Sequence, residues 1–256
     1  MEILISILAG LLAGFGTGFA GLSAAVFIAP MLVAFLGTDS FSAIGIALAS
    51  DVLASFVSGV TYYRHGNTSI KRSAPLMITV LVFAVVGTVI SHILTGISVG
   101  ENLMGWWLVV ASLLLGIKLL FFPGGDKKKE KNSLPVSDRA LMIICGIYIG
   151  FVCGFQGTGG GLMLLFVLNI LMGLEFKKSV GTSVSIMAVT ALIGAIGHFT
   201  LRGLPDLKLM VMCMLFTLIG AQAAALIANR ISPVILKRLT GALMTVSCIA
   251  MVIAKL

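Results

Sequence analysis

Asp51 is the most costly residue in this sequence to place. Uncharged residues flank it throughout positions 41–63, so a carboxylate stands near the middle of a run long enough to cross a bilayer. At a helix centre in lipid an aspartate costs roughly 2.5–3.5 kcal/mol, so it must face protein and be paired, hydrogen-bonded or protonated. Two readings stay open: a proton-coupling or cavity-lining acid, and an acid that only bonds a neighbouring helix. His198, near the end of another apolar run, is a second candidate for proton coupling, because imidazole changes charge near neutral pH.

No Lys or Arg lies deep in any apolar run. An anion held at that depth must therefore rely on backbone N–H groups, helix N-termini and small polar side chains. The supply is Gln156, Gly157, Thr158, Gly159, Gly160 and Gly161, with Thr182 and Ser183 further on; the N-terminal part offers Gly21, Ser23 and Ser50. Any one hydroxyl taken alone more often bonds back to its own helix, so the cluster carries the weight. Enzyme chemistry has little support: there is no His-Glu-x-x-His, no P-loop and no Cys/His metal spacing. No metal and no cofactor are expected. The four cysteines all sit in apolar runs and read as packing.

The elements that must position these residues are membrane helices. Hydrophobic residues make up 59% of the 256-residue chain and charged residues 10%, which excludes a water-soluble globule. The net charge of +8 falls in short breaks between apolar runs, so it reads as membrane-flanking charge and not as a nucleic-acid surface. The runs are eight: 3–36, 41–63, 74–95, 103–122, 141–172, 180–201, 209–228 and 234–254. Most are close to the roughly 20 residues that span a bilayer. The first and fifth are too long, and both should break at their glycines, Gly14-Phe15-Gly16-Thr17-Gly18-Phe19-Ala20-Gly21 and Gly154-Phe155-Gln156-Gly157-Thr158-Gly159-Gly160-Gly161. Freed backbone groups are tolerated at that depth only against protein or a hydrated cavity. Glycines four residues apart (Gly10, Gly14, Gly18; Gly146, Gly150, Gly154) also mark close helix packing. The chain starts Met1-Glu2 without a basic segment, so the first run is expected to be a retained membrane segment.

A shift of 136 positions superposes Gly10 on Gly146, Gly14 on Gly150, Gly18 on Gly154, Gly21 on Gly157, Gly37 on Gly173 and Gly45 on Gly181. Two homologous membrane repeats are therefore expected, residues 1–122 and 139–256, joined by a charged cytoplasmic linker, 123–138. In this register Tyr62 matches His198, and Asp51 matches Met187, so any proton role is confined to one half. If the first and fifth runs each fold back as a hairpin, the 17 lysines and arginines gather more strongly on one side than if all runs cross once. That version makes an inverted repeat and is favoured over a parallel one. The expected fold is an all-α polytopic membrane protein with about eight hydrophobic segments, the first and fifth broken or re-entrant.

Gly154-Phe155-Gln156-Gly157-Thr158-Gly159-Gly160-Gly161, then Ser179-Val180-Gly181-Thr182-Ser183, with Gly18-Phe19-Ala20-Gly21 and Tyr63-Arg64-His65-Gly66-Asn67 in the first half, resemble the TauE/SafE family over essentially the whole chain. The resemblance implies a multi-pass transporter in a bacterial or archaeal plasma membrane. It also implies movement of a small sulfur-containing anion such as sulfite or an organosulfonate, coupled to protons. The lipid bilayer is the expected environment, nucleic acid is not an expected partner, and homo-oligomers are compatible with the pattern. The first-half motif departs from the second, with Leu22-Ser23-Ala24-Ala25 where the second has Thr158-Gly159-Gly160-Gly161. A membrane scaffold and a passive anion channel are the alternatives.

Overall fold

The computed structural model describes residues 2–93, 113–114, 116–121, 136–156 and 160–255. The linker expected at 123–138 lies outside these residues up to position 135, as do most of the run 103–122 and Gly157, Thr158 and Gly159. The described chain is helical: α1 (Glu2–Ala20), α2 (Ala25–Leu36), α3 (Ser40–Arg64), α4 (Ala74–Ile93), α5 (Val136–Gln156), α6 (Gly161–Phe166) continuing as a π-helical turn Val167–Leu171, α7 (Phe176–Arg202), α8 (Leu207–Arg230) and α9 (Pro233–Lys255). Among the described residues, Glu2–Ala20, Ser42–Arg64, Phe176–Thr200 and Leu207–Arg230 are long and apolar enough to cross a membrane; four shorter helices are also apolar. This is a multi-pass helical protein, as its composition requires.

Helix ends follow local chemistry. Asp39 accepts a hydrogen bond from the Ser42 N–H at 3.0 Å to cap α3, and Asp206 accepts from Lys208 and Leu209 N–H to cap α8. Gly37 and Gly173 close the short helices with φ near +64°, a conformation glycine adopts without a Cβ penalty. In both, the next N–H reaches six residues back: Thr38 to Leu32 and Leu174 to Leu168.

The glycine stripes are packing faces. A Cβ at Gly14 would overlap the Thr217 carbonyl oxygen, one at Gly10 would lie 2.8 Å from Phe216 Cβ, and one at Gly18 would lie 2.5 Å from Ala224 Cβ. α1 therefore runs parallel to α8 at backbone contact. Gly146, Gly150 and Gly154 likewise hold α5 parallel to α4, against Thr79, Val80 and Ala84. Without a hydrophobic driving force between helices in lipid, such close approach supplies van der Waals contact. α3 runs parallel to α8, since Ser58, Thr61 and Asn67 meet Ala221, Gln222 and Asn229 in order. Against α7 it runs antiparallel, because Gly45 faces His198 while Gly181 faces Tyr62.

α2 doubles back. A three-residue connection, Gly37 to Asp39, joins its end to the start of α3, while its beginning is bonded to Asp51 in the middle of α3. The register of 136 positions is kept by the helix boundaries: α1 and α5 end at Ala20 and Gln156, α2 and α6 begin at Ala25 and Gly161, and α3 and α7 begin at Ser40 and Phe176.

Candidate functional site

The break between α1 and α2 is closed by side chains from α1, α3 and α9. α1 stops where Gly21 turns to φ +65°, with the Leu22 N–H bonded to the Gly16 carbonyl at 3.1 Å. Three of the carbonyls at the break are taken by side chains: Gly18 by the Tyr62 hydroxyl at 2.9 Å, Phe19 by the Thr240 hydroxyl at 3.2 Å, and Leu22 by the Thr17 hydroxyl at 2.8 Å. On the other side of the break, Ala24 N–H donates to Asp51 Oδ1 at 2.7 Å and the Ser23 hydroxyl donates to Asp51 Oδ2 at 2.5 Å. Asp51 is fully buried, and it caps α2 from a different helix. A carboxylate accepting from a helix N-terminus meets both the unpaired amides and the positive end of the dipole.

At the second break α6 starts after Gly160, whose φ is +63°, and among the described residues no side chain accepts from its first amides. Glycines stand at 159 and 160 where the first break has Ser23 and Ala24, and Met187 stands where it has Asp51. The two breaks touch. A Cβ at Gly161 would overlap the Gly21 carbonyl oxygen and lie 2.7 Å from Met187 Sδ, while one at Gly21 would lie 2.7 Å from Ser183 Oγ. The start of α6 thus abuts Gly21, just past the end of α1, in the protein interior.

Of the residues singled out in the sequence, Gly21, Ser23, Asp51, Gly160, Gly161 and Ser183 come together at this junction. Gly157, Thr158, Gly159 and the Gln156 side chain lie outside the described residues. Ser50 is buried but bonds its own helix at the Ile46 carbonyl, 2.8 Å away. Ser183 donates to Val180 O at 2.9 Å. Thr182 donates to Lys178 O and accepts from the Ser69 N–H at 2.9 Å, so it ties a loop instead of facing the junction. His198 is not at the junction either. It packs on Gly45 and lines a cavity of about 310 Å³ with Asp39, Ser42, Leu204 and Pro205, at one end of the α3–α7 pair. The other end of that pair is shut: Tyr62 and the Asn67 carbonyl lie on Gly181, and Asn67 donates to Asn229 Oδ1 at 2.6 Å.

Three buried residues drew no site reading from the sequence. Ser55 lies one turn beyond Asp51, and its buried hydroxyl has no hydrogen-bond partner. The spacing of four residues from Asp51 was the available signal. Met187 was noted only as a missing acid, yet its sulfur is part of the junction. Lys237 sits one turn into α9 and is nearly buried, with its ammonium 5.8 Å from the Phe176 ring. Its nearness to a run end hid that burial.

Comparisons with known proteins fall on the whole chain. The profile of the family described as Sulfite exporter TauE/SafE matches residues 6–251. "Probable membrane transporter protein YdhB" of Bacillus subtilis is 28% identical over 239 residues, 92% of each chain. "Probable membrane transporter protein YjnA" of the same organism is 23% identical over 188 residues, 70% of this chain and 72% of its own. A probable membrane transporter of Methanocaldococcus jannaschii is 23% identical over 208 residues, 76% of this chain and 71% of its own. No solved structure matches.

Proposed function

The chain belongs to the sulfite exporter TauE/SafE family, and from that premise we propose that this membrane transporter carries a small sulfur-containing anion, held at the junction of the two breaks and moved with protons. One observation carries the reading: among the described residues no side chain takes the amides at the start of α6, at the place where the first half supplies the Asp51 carboxylate. Asp51 shows in covalent form what such an end accepts. A sulfite or sulfonate oxygen at the second break would meet the amides of Gly160 and Gly161 in the way Asp51 meets Ala24. Ser183 and Met187 would line its other sides. In the sequence, Gly157, Thr158 and Gly159 complete the loop. Asp51 is the proton site, buried midway along α3, and His198 stands at the open end of the α3–α7 pair as a second proton candidate.

The inverted repeat is part of the same proposal. Its supports are the shared register of helix boundaries and the reciprocal pairs Gly45 with His198 and Gly181 with Tyr62. Equivalent helices that run antiparallel imply a two-fold axis in the membrane plane, the plan of many secondary transporters. α2 and α6 are then re-entrant, and Lys177, Lys178, Arg230, Lys237 and Arg238 share the cytoplasmic side with Arg64, Lys71 and Arg72. The cavity beside His198 opens on the outer side. The membrane is the cytoplasmic membrane of a bacterium or archaeon.

Proteoliposomes test the function. Labelled sulfite or an organosulfonate should exchange against unlabelled anion and accumulate on an imposed proton gradient. Flux that never runs uphill would make the protein a channel, and no flux of either anion would remove the transporter reading of this substrate class. Asp51→Asn should abolish the dependence on the proton gradient; full retention would remove Asp51 as the proton site.

A further inference from the structure

We propose that the Asp51 carboxylate is a tethered competitor of the substrate anion for the donors at the start of α2, so that an anion bridging both breaks is admitted only when Asp51 carries a proton. The inference rests on the reading of the junction as anion site and of Asp51 as proton site, and it states how the two are linked.

Both carboxylate oxygens are engaged, Oδ1 by the Ala24 N–H and Oδ2 by the Ser23 hydroxyl. These are the donors an anion at the first break would need, and a second negative charge cannot share them. A third donor stands ready. Asp51 and Tyr62, on one face of α3, both reach the α1–α2 break, and Ser55 lies between them on that face. Its hydroxyl is buried and unpartnered, an arrangement that costs free energy until something accepts from it.

Protonation rearranges the same atoms. A proton from solvent adds to a carboxylate oxygen, and the new O–H donates to Ser23 Oγ. The Ser23 hydroxyl hydrogen then turns away from Asp51 toward the junction. With the charge gone, the bond from Ala24 N–H loses its charge-assisted strength. Ser23, Ser55 and Ala24 become three donors for an oxyanion whose other oxygens face Gly160 and Gly161.

On the described helices around Asp51 the other charged residues stand toward the helix ends. Among the described residues α1 carries only Glu2, at its far end, and α2 carries none. α7 has Lys177 and Lys178 at its start, with His198 and Arg202 toward its end. α8 has Lys208 and Arg230 at its two ends, with the Cys213 thiol packed among Ala43, Ile46 and Ala47. α9 has Lys237 and Arg238 near its start and Lys255 at its end. Among the described residues no ion pair to Asp51 is formed, and the Tyr62 hydroxyl is bonded to Gly18.

The test is calorimetric titration of purified protein with methanesulfonate and thiosulfate, neither of which titrates near neutral pH, in buffers of different ionisation heat. Toward pH 8 the wild type should approach uptake of one proton per anion bound, with affinity falling toward a limit of about tenfold per pH unit, and toward pH 5 both effects should fade as Asp51 is already protonated. Asp51→Asn should bind without proton uptake and without that pH dependence. Should that variant fail to insert, Ser23→Ala serves, with affinity lowered about tenfold by the lost donor and proton uptake retained. Binding by the wild type without proton uptake toward pH 8 would overturn the competition while leaving the anion site intact. Proton uptake unchanged in Asp51→Asn would overturn it too. Failure of both anions to bind between pH 5 and 8 would remove the anion site and the competition together.

Discussion

At the first break the start of α2 meets a carboxylate, and at the second the start of α6 meets a thioether. Everything around them keeps one register: the helix ends, the glycine stripes, and the left-handed glycines Gly37 and Gly173. Two breaks with the same backbone plan have therefore been finished differently. In the first, side chains take the Gly18, Phe19 and Leu22 carbonyls and the Ala24 amide. In the second, no side chain among the described residues takes the amides entering α6. A broken helix inside a protein must satisfy its polar groups, and on the proposed reading the anion does this at the second break while Asp51 does it at the first.

The contrast can be broken most severely where the breaks touch. Gly161→Ala places a Cβ onto the Gly21 carbonyl oxygen, which is backbone and cannot swing aside. Overpacking of this kind costs roughly 1–3 kcal/mol and here should reach the upper end or beyond, lowering the unfolding midpoint and abolishing transport. Unchanged thermal unfolding of this variant in detergent would show that the junction is loose. Next come the stripes. Gly14→Ala and its counterpart Gly150→Ala each push a Cβ into a facing carbonyl, and each should cost about 1–3 kcal/mol by thermal unfolding. Equal losses sharpen the equivalence of the halves, and a loss confined to one variant breaks it.

Asp51→Ala removes the acceptor from the start of α2 and leaves the Ala24 amide and Ser23 hydroxyl without it. A loss of about 1–2 kcal/mol is expected from the missing cap, read as a lower unfolding midpoint. A more stable variant would mean that burying the acid costs more than its bonds return. The smallest effect belongs to Asp39→Ala, which deletes an exposed cap of α3 for about 1 kcal/mol and should leave anion affinity unchanged. Weakened binding there would move the site toward the cavity beside His198.

Much of the architecture was legible in the sequence because membrane helices announce themselves by length and by charge-free composition. The excess length of the run 3–36 required the break seen at Gly21 to Ala24, and the four-residue glycine spacing required the contacts of α1 with α8 and of α5 with α4. Which helix each stripe would meet was not legible, since a glycine face states only that something comes close. The junction was less legible. Gly21, Ser23, Asp51 and Gly161, singled out by their types, lie together in space. Thr182, Ser183 and Ser50 were chosen as donors, but all three give their hydrogens to carbonyls of their own helix, the ordinary use of a helical hydroxyl. The partner of Asp51 could not be read at all, because the Ala24 amide is a backbone group and carries no side-chain signature. The match of Asp51 with Met187 was visible as a difference in type, and its meaning required the junction.

One substitution addresses the contrast directly: Met187→Asp, which gives the second break the carboxylate that the first already has. Its control is Met187→Leu, which keeps an apolar side chain of similar size. Sulfite binding to the two purified variants should differ, with Met187→Leu close to wild type and Met187→Asp at least about tenfold weaker, because the new carboxylate takes the amides of α6 as Asp51 takes those of α2. Equal affinity for sulfite in a folded Met187→Asp protein and its leucine control would contradict anion binding at the second break.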